Sequence, residues 1–404
     1  MRKKRRRPSN PWRIIFLIVL IGAAVYINQV VVPVTPPLFV PTLTPTRSPE
    51  SFVNEAQALF QEGKLNQAIE SYEDAILSDP SNPSNYVELA RIQILAGRYE
   101  EALENSELAL LRNPDNPRAH TMRAWALDFL RDYLAAEAAV KKALELDPNN
   151  AIAHAIYSEI LIHKGEFGDI DTAIEESRLA RDLGPDLLET HRARGYVLYW
   201  TGNYQEAVQE YRAALNINDK ISNLYLRLAY SYYAMDEYDQ AVEAFNQANA
   251  LNPSDPTPDY EASRVYFAVG EYSRAVQYAE QAVKDEPSDA ALQGNLGVMY
   301  AKNGEPEKAI ERLALAVRGG TIDGGTIVEG LPLSYEIQVI ELYSTYGLTL
   351  ARQNRCAEAV PIFQAMLSVV PEDEIAVFNA TEGLRICQES LETTTPENTP
   401  TPTP

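Results

Sequence analysis

The sequence is poor in the residues and motifs that most often carry catalysis or metal binding. It has two cysteines and four histidines among 404 residues. It contains no nucleophile elbow, phosphate-binding loop or HExxH motif. Carboxylates are abundant, but on helix faces they are typical of a solvated surface. We therefore predict a non-catalytic protein that uses no cofactor and binds no metal.

Basic residues are also scarce beyond the N-terminus. The formal net charge is −22, although residues 1–13 hold seven basic residues and no acidic one. A protein that binds nucleic acid needs a basic footprint, which the rest of this chain lacks. The acidity instead favours basic or neutral partners.

Long apolar runs are absent except for one near the N-terminus. Residues 14–32, IIFLIVLIGAAVYINQVVV, carry no charge and would span about 28 Å as a helix. The basic leader at 1–13 precedes them, and the next basic residue is Arg47. This asymmetry predicts a single-pass anchor in the cell membrane, with a cytoplasmic N-terminus and the remaining chain outside the cytoplasm.

Two other interpretations of this segment stay open. Asn28 and Gln29 weaken its end, and the stronger run at 14–27 has the length of a cleaved signal peptide, although no clear cleavage site follows. A buried or interfacial helix is the third interpretation. Residues 33–49 are rich in proline and threonine, which predicts an extended linker between the anchor and the domain that follows.

The remainder of the chain is organised by a repeat of 34 residues, with one step of 37. Each unit has two amphipathic helical segments joined by a turn, as in NLYLRLAYSYYAMDEYDQAVEAFNQANALNP at 223–253. An alanine marks the second helix of each unit, another alanine follows seven residues later, and a turn residue, usually proline, follows five after that. The first alanines are Ala68, Ala102, Ala136, Ala173, Ala207, Ala241, Ala275 and Ala309.

With this period, the chain resembles the tetratricopeptide-repeat family over residues 50–371. The matching positions include Tyr86, Leu89, Ala90, Gly97, Tyr99, Gly202 and Tyr204. The resemblance implies an all-α fold, an α-solenoid in which about nine helix pairs form a right-handed superhelix. A Gly-rich insertion at 318–334 interrupts the array, residues 372–390 form a capping helix, and the Thr/Pro tail at 391–404 is expected to be disordered.

Three of the histidines, His120, His154 and His191, stand at equivalent points of consecutive units. Such points should lie about 10 Å apart, whereas the ligands of one zinc ion lie about 2 Å from the metal. We therefore expect packing or surface roles for these side chains.

Cys356 and Cys387 lie 15 and 16 residues on either side of the turn at Pro371. An antiparallel helix pair would bring them side by side, and the predicted location outside the cytosol permits a disulfide. We predict that they are bonded; the alternative is two separate, partly buried thiols.

In tetratricopeptide-repeat proteins the first helix of each pair lines the concave face, which holds a peptide or a partner helix. The resemblance thus implies a partner-binding groove rich in the aromatic and arginine residues typical of binding hot spots. The alternative is that several of these residues pack between repeats. The candidates are Trp125, Phe129, Arg192, Tyr196, Tyr199, Trp200, Tyr230, Tyr233, Tyr260, Arg264 and Phe267.

These patterns favour a membrane-tethered scaffold that binds extended or helical segments of other proteins. The second hypothesis is an envelope protein whose aromatic groove binds glycan or assists exopolysaccharide secretion. The third is an accessory subunit of an enzyme. The carboxylate clamp of chaperone-binding family members has no match at Val53, Gln57, Val87 or Arg91, so recognition of chaperone tails is not expected.

Overall fold

The computed structural model describes residues 11–26, 29, 47–322 and 324–394. In these ranges the chain forms twenty α-helices and one two-stranded antiparallel hairpin. The helices are α1 (Pro11–Tyr26), α2 (Pro49–Gln61), α3 (Leu65–Ser78), α4 (Pro83–Leu95), α5 (Tyr99–Arg112), α6 (Pro117–Phe129), α7 (Tyr133–Leu146), α8 (Ala151–Lys164), α9 (Asp169–Leu183), α10 (Leu188–Trp200), α11 (Tyr204–Ile217), α12 (Ser222–Tyr233), α13 (Tyr238–Leu251), α14 (Thr257–Ala268), α15 (Tyr272–Asp285), α16 (Ala290–Lys302), α17 (Pro306–Arg318), α18 (Ile337–Arg352), α19 (Cys356–Val369) and α20 (Glu374–Thr394). The strands are β1 (Gly320–Thr321) and β2 (Ile327–Val328).

Within the described residues, α2 to α19 make nine consecutive helix pairs, and α20 follows them without a partner helix of its own. Each helix packs on the other member of its pair and on the neighbouring pair. The marker alanines explain how the helices approach so closely. Every one of them, from Ala68 to Ala309, is completely buried, as is Ala359 in the last pair.

The turn inside each pair requires a left-handed backbone at one position. Glycine occupies it in six pairs, for example Gly97 with φ of +79°, because a residue without a Cβ adopts this conformation without strain. Arg131, Asp236 and Asn354 take the same position in three other pairs, with φ near +60°. These three turns therefore carry a conformational cost that the glycine turns avoid.

Short polar side chains fix where several inner helices begin. The Asn116 side chain accepts hydrogen bonds from the backbone N–H groups of Arg118 and Ala119 at the start of α6. Pro117 is the first residue of that helix, where its missing N–H costs nothing. Such N-caps define sharply where these helices begin.

The Gly-rich insertion folds back on the array. The Leu331 N–H donates to the carbonyl of Ala316 at 2.8 Å, and the Tyr343 hydroxyl donates to the carbonyl of Leu331 at 2.9 Å. Val328 of β2 is buried, while Ile327 is exposed. The insertion thus covers the end of α17 and the side of α18.

At the C-terminal end, a disulfide joins Cys356 in α19 to Cys387 in α20, with Cα atoms 5.4 Å apart. α20 packs on α18 and α19. A Cβ added at Gly383 would lie 2.0 Å from the Phe363 ring, so the two helices approach too closely there for any larger residue. The last helix is therefore held rigidly on the array.

The N-terminal part of the superhelix closes on itself. The Asn218 side chain donates to the carbonyl of Phe60 at 3.1 Å, across 158 residues of sequence. The Arg91 guanidinium donates to Glu189 at 2.5 Å, across 98 residues. The first helix pairs consequently contact α10 and the segment that leads into α12, and the space between them becomes part of the interior.

The helix α1 stands apart from this packing, because none of its side chains is buried. None of the helices in the described ranges combines the length and the apolar character that spanning a bilayer requires. The predicted anchor at 14–32 extends beyond α1 to positions outside the described residues. Most of the leader at 1–13, of the linker at 33–49 and of the tail at 391–404 also lies outside them.

Candidate functional site: an aromatic cleft inside the superhelix

An aromatic cleft of about 500 Å³ lies between the inner helices α10 and α12 and the loop before α14. We call it the aromatic cleft. It is lined by Tyr196, Tyr199, Trp200, Tyr211, Asn223, Leu226, Arg227, Tyr230, Asp255 and Thr257. Four of these side chains belong to the groove predicted from the sequence: Tyr196, Tyr199, Trp200 and Tyr230.

The last turn of α10 supplies one wall of the aromatic cleft. Tyr196, Tyr199 and Trp200 share a helix face because they are three and four residues apart. The Trp200 ring lies 6.1 Å from Tyr196 and 6.3 Å from Tyr199, both edge to face. Aromatic pairs prefer this arrangement, and it holds the indole while leaving 59% of Trp200 exposed. A rigid, exposed tryptophan in a concave site is a good anchor for a ligand.

Arg227 provides a positive charge inside the cleft. Its guanidinium lies 4.3 Å from the centre of the Tyr196 ring, and its Nε donates to Asn223 at 2.9 Å. No described carboxylate forms an ion pair with it. Burial lowers the pKa of Arg227, but the surroundings, chiefly Tyr211 and Glu159, outweigh this and leave the pKa above its usual value. The side chain therefore stays charged.

The opposite wall contains a hydrogen bond from the Tyr230 hydroxyl to the Glu261 carboxylate, 3.1 Å long. Burial raises the pKa of Glu261 above its usual range, although this hydrogen bond opposes the shift. The bond fixes the Tyr230 ring at the edge of the cleft.

A smaller cavity of about 120 Å³ adjoins the aromatic cleft and shares Asn223, Leu226 and Asp255 with it. We call it the inner subsite. Trp125 and Arg192 form part of its wall and are only 0% and 2% exposed. The Arg192 guanidinium lies 4.6 Å from the Trp125 ring centre, and its Nη2 is 2.9 Å from the buried carboxylate of Glu159.

This burial corrects the predicted groove. Trp125 and Arg192 were expected to face a partner on an open concave surface, and Tyr196 is also largely covered, since it is only 9% exposed. Trp125 and Arg192 are buried, because closure of the superhelix turns their stretch of the inner face into interior, and their part in partner binding stays a prediction. Phe129 likewise stacks on Tyr99 with ring centres 4.4 Å apart.

The other predicted groove residues lie outside the aromatic cleft. Tyr260 and Arg264 line a separate cavity of about 240 Å³, where Arg264 pairs with Glu341 at 3.3 Å. Tyr233, which is 40% exposed, and Phe267 contact aromatic rings of the following helices. The structure therefore separates the predicted groove into several sites.

Some residues of the cleft were not predicted. Arg227 directly follows Leu226 in α12, and both line the cleft, although adjacent helix residues point in different directions. Tyr211 comes from the second helix of its pair and reaches the cleft past Gly195, where an added Cβ would lie 2.8 Å from the Tyr211 ring. The signal that could have indicated this contact is a glycine in the first helix of the pair opposite a tyrosine in the second helix.

The three equivalent histidines have a structural role. Each ring Nε2 lies within hydrogen-bond distance of the proline carbonyl six residues earlier, at 2.9 Å for His120, 2.9 Å for His154 and 2.7 Å for His191. These contacts stabilise the turns between repeats. Among the described residues, no group of three or more His, Cys, Asp or Glu side chains could hold a metal ion.

The helix pairs, their spacing and their buried alanines define an α-solenoid. Models of the tetratricopeptide repeat match residues 59–126, 117–150, 201–261 and 260–321, which together make up more than half of the chain. The chain belongs to the tetratricopeptide-repeat family. This confirms the predicted all-α solenoid and repeat.

One solved structure shows the same fold over most of the chain. The chain is similar to the Cut9–Hcn1 hetero-tetramer of the APC/C, with a TM-score of 0.57 and 14% identity over 91% of this chain and 82% of that one. A thermophilic tetratricopeptide-repeat protein of Thermus thermophilus matches at a TM-score of 0.40 and 22% identity, over 46% of this chain and 100% of its own. PilF of Pseudomonas aeruginosa matches at a TM-score of 0.43 and 22% identity, over 50% of this chain and 90% of its own. No curated protein matches the sequence.

Proposed function

We propose that this protein is a non-catalytic scaffold whose aromatic cleft binds an extended or helical segment of a partner protein. Tetratricopeptide repeats are protein-interaction modules, so the general role follows from the family. The observation that carries the specific proposal is the exposed Trp200, held among tyrosines at the mouth of a 500 Å³ concave site. A large apolar side chain of the partner would bury the indole.

The closed inner face limits where a partner segment runs. Trp125 and Arg192 are covered by the first helix pairs, so the segment would lie over α10 and α12 and continue toward α14. There Tyr260 and Arg264 line the next cavity. The scaffold thus offers its binding surface in the second half of the array.

A membrane tether is the second part of this proposal. The apolar residues of α1 are all exposed, with Phe16 at 65% and Ile18 at 63%, and no described part of the array covers them. Seven basic residues at 1–13 favour a cytoplasmic N-terminus. Single cysteines placed at positions 5 and 40 of a variant without Cys356 and Cys387 would test this arrangement. The tether predicts labelling of position 40, but not of position 5, by an impermeant maleimide added to intact cells.

Site-specific crosslinking tests the scaffold role. A photo-crosslinker at Thr257, which lines the cleft, should capture a specific protein, whereas one at the exposed Glu243 of α13 should not. The purified partner should then lose at least about tenfold in affinity for Trp200→Ala, as hot-spot residues do. Leu134→Ala, an exposed leucine on α7, is the matched control and should bind normally. Equal binding by both variants would refute the cleft as the site.

The same exposed indole favours glycan binding as a second candidate, because sugar rings stack on aromatic faces. The crosslinking experiment separates the two. Capture of carbohydrate alone from Thr257, sensitive to Trp200→Ala, would replace the protein partner by an exported glycan.

A further inference from the structure

One position of the repeat places a side chain against the turn that precedes its helix. In five described helix pairs, the side chain at this position hydrogen-bonds to the backbone carbonyl of a proline six residues earlier. These side chains are Tyr86, His120, His154, His191 and Gln293, at distances of 3.3, 2.9, 2.9, 2.7 and 2.8 Å. A carbonyl oxygen only accepts hydrogen bonds, so each of these side chains must donate one.

Two of the histidines also meet a second acceptor. Nδ1 of His191 lies 2.6 Å from the Glu210 carboxylate in α11, and Nδ1 of His154 lies within hydrogen-bond distance of the Glu176 carboxylate in α9. A neutral imidazole donates from only one nitrogen, whereas carbonyl and carboxylate oxygens only accept. Both contacts of each ring are therefore satisfied only when a proton lies between Nδ1 and the carboxylate, which makes the ring an imidazolium.

Two other repeats show the same position without this arrangement. Nδ1 of His120 has no hydrogen-bond partner among the described residues, and Ala139 stands where the later repeat has Glu210. Gln293 donates to its proline carbonyl and accepts from Arg312 at 3.0 Å. A partner that donates thus satisfies this position without a titrating proton.

The charges that face His154 favour its second proton. Besides Glu176 on α9, Asp147 lies in the turn before α8. Burial opposes protonation of the ring, but Glu176 and the carbonyl of Pro148 outweigh burial, so the pKa of His154 is raised.

His191 is faced by charges of both signs. Glu210 approaches its ring, while Arg181 on α9 lies 3.4 Å from Glu210. The hydrogen bond to Glu210 raises the pKa of His191 and outweighs both burial and the positive charge of Arg181. Both rings therefore keep their second proton to higher pH than an exposed histidine, whose pKa is about 6.5.

Both His–Glu pairs lie in the part of the array that closes the superhelix. They connect α8 to α9 and α10 to α11, and each ring also contacts the turn in front of its helix. Glu189, two residues before His191 in the first turn of α10, pairs with Arg91 of α4. Small rotations between successive helix pairs add up along a solenoid, so a change in how these pairs are held alters the closing contact.

We propose that His154–Glu176 and His191–Glu210 are two proton-binding pairs that make the closure of the superhelix dependent on pH. With the proton bound, each ring joins the turn in front of its helix to the second helix of its pair. Without the proton, Nδ1 and the carboxylate are two acceptors that face each other, and this contact is lost. The proposal is independent of whether the aromatic cleft binds a partner.

The direction of the pH dependence follows from the raised pKa values. The folded state keeps protons that the unfolded state has released, so the stabilisation is complete below about pH 6.5 and is lost as the pH rises through the folded-state pKa. Raising the pH should therefore loosen α8 to α11, and with them the contact of Glu189 with Arg91.

Nitrogen NMR of the histidine rings tests the proton directly. The chain has four histidines, and full-length protein in detergent with ¹⁵N-labelled histidine would be titrated from pH 5.5 to 9, with the resonances assigned through single His→Gln variants. The rings of His154 and His191 should be more than half imidazolium at pH 6.5. Glu210→Ala, which reproduces the surroundings of His120, should lower the pH at which His191 loses its proton.

The variant Glu176→Gln, Glu210→Gln tests the consequence for the fold. Each new amide can donate to Nδ1 of a neutral ring, so both contacts survive without the extra proton. The matched control is Glu175→Gln, Glu206→Gln, which makes the same charge change at exposed positions of α9 and α11. Between pH 6.5 and 8.5 the thermal midpoint of the control should fall by about 2 °C more than that of the test variant.

Hydrogen exchange at the same two pH values, corrected for its intrinsic pH dependence, reports the closure. Exchange in α4 and α10 should be faster at pH 8.5 in the wild type and in the control, but not in the test variant. Mainly neutral rings of His154 and His191 at pH 6.5 would overturn the proposal, even if the variants fail to fold. An equal fall of the midpoint in the test and control variants, or exchange that does not change with pH, would also overturn it.

Discussion

Trp125 and Trp200 both lie on inner helices of the array, in α6 and α10, yet one is completely buried and the other is 59% exposed. They stand at different points of the repeat, because Trp125 lies 11 residues before Ala136 and Trp200 lies 7 residues before Ala207. What lies across the superhelix also differs between them. The end of α4 and the start of α12 cover Trp125, whereas no described element covers Trp200.

The comparison shows that the exposure of an aromatic residue on an inner helix depends on its position in the repeat and on which distant repeats lie opposite it. Tyr196, the equivalent of Trp125 in α10, is likewise largely buried. In the N-terminal half, contacts such as Arg91 with Glu189 bring distant repeats together. In the second half the inner face stays accessible at the aromatic cleft. The same aromatic chemistry therefore forms core in one region and a binding surface in the other.

The largest expected effect concerns the two tryptophans themselves. Trp125→Ala should lower the free energy of unfolding by about 3–5 kcal/mol, because it leaves a cavity in the closed interior. Trp200→Ala should change it by less than about 0.5–1 kcal/mol, as for other exposed positions. Urea denaturation followed by circular dichroism would measure both. Equal losses would mean that the two sites do not differ as the structure indicates.

The second prediction concerns the disulfide, which stabilises the C-terminal end covalently, whereas the N-terminal half is closed by non-covalent contacts. Removing it by replacing Cys356 and Cys387 with alanine should cost roughly 3–4 kcal/mol, the chain-entropy value for a loop of 31 residues. Hydrogen exchange should increase in α19 and α20, with α4 and α6 as internal controls. Faster exchange throughout the array would contradict a local role.

Breaking the closure itself should come next in size. Arg91→Met leaves Glu189, which is only 1% exposed, without its charge partner, and should cost about 3 kcal/mol, the low end for a buried pair because Arg91 is 20% exposed. The double variant Arg91→Met, Glu189→Leu should recover most of this loss. If the double variant is as unstable as the single one, the ion pair does more than satisfy a buried charge.

Buried carboxylates differ between the two regions in their pH dependence. Burial raises the pKa of Glu189, but Arg91 outweighs this and leaves it lowered. For Asp259 in α14, burial and the neighbouring Asp285 raise the pKa to about 6, above the unfolded value of about 3.9. The folded state then binds more protons than the unfolded state, so stability falls as the pH rises from about 4 through 6.

Asp259→Asn should remove this fall and stabilise the protein by about 1 kcal/mol at pH 7, because a neutral amide needs no charge partner. Its side chain can still accept the hydrogen bond from Asn249, now 2.9 Å long. Thermal unfolding at pH 5 and pH 7.5 would show the change. If the thermal unfolding midpoint of the variant is still lower at pH 7.5 than at pH 5, Asp259 is excluded as the cause.

The smallest effects concern the turns, which should behave alike in both regions. Arg131→Gly should stabilise by about 0.5–1 kcal/mol, because its backbone is left-handed. Asn354→Gly, in the C-terminal part, should gain less, since asparagine tolerates this conformation better than arginine. Gly97→Ala is the control with the opposite sign. A loss in Arg131→Gly would show that its side chain makes stabilising contacts outside the turn.

Much of the fold could be predicted because a repeat of this kind rests on local contacts. The alanines at 34-residue spacing indicate both helices of each pair, and all of them are buried as close helix packing requires. The disulfide partners could be placed by counting from Pro371, since two antiparallel helices set their separation. The candidate site was harder to predict, because tyrosines on the inner face look alike in sequence whether another repeat covers them or not.

The sequence by itself determined the helix pairs, their period, the turns and the aromatic character of the inner face, since these depend on residues within about 40 positions of one another. Only the tertiary structure decided that Phe60 meets Asn218 and that Arg91 meets Glu189, at separations of 158 and 98 residues. Small rotations between successive pairs add up over several repeats, and their sum determines whether the superhelix closes. That sum buried Trp125 and left Trp200 at the mouth of a cleft.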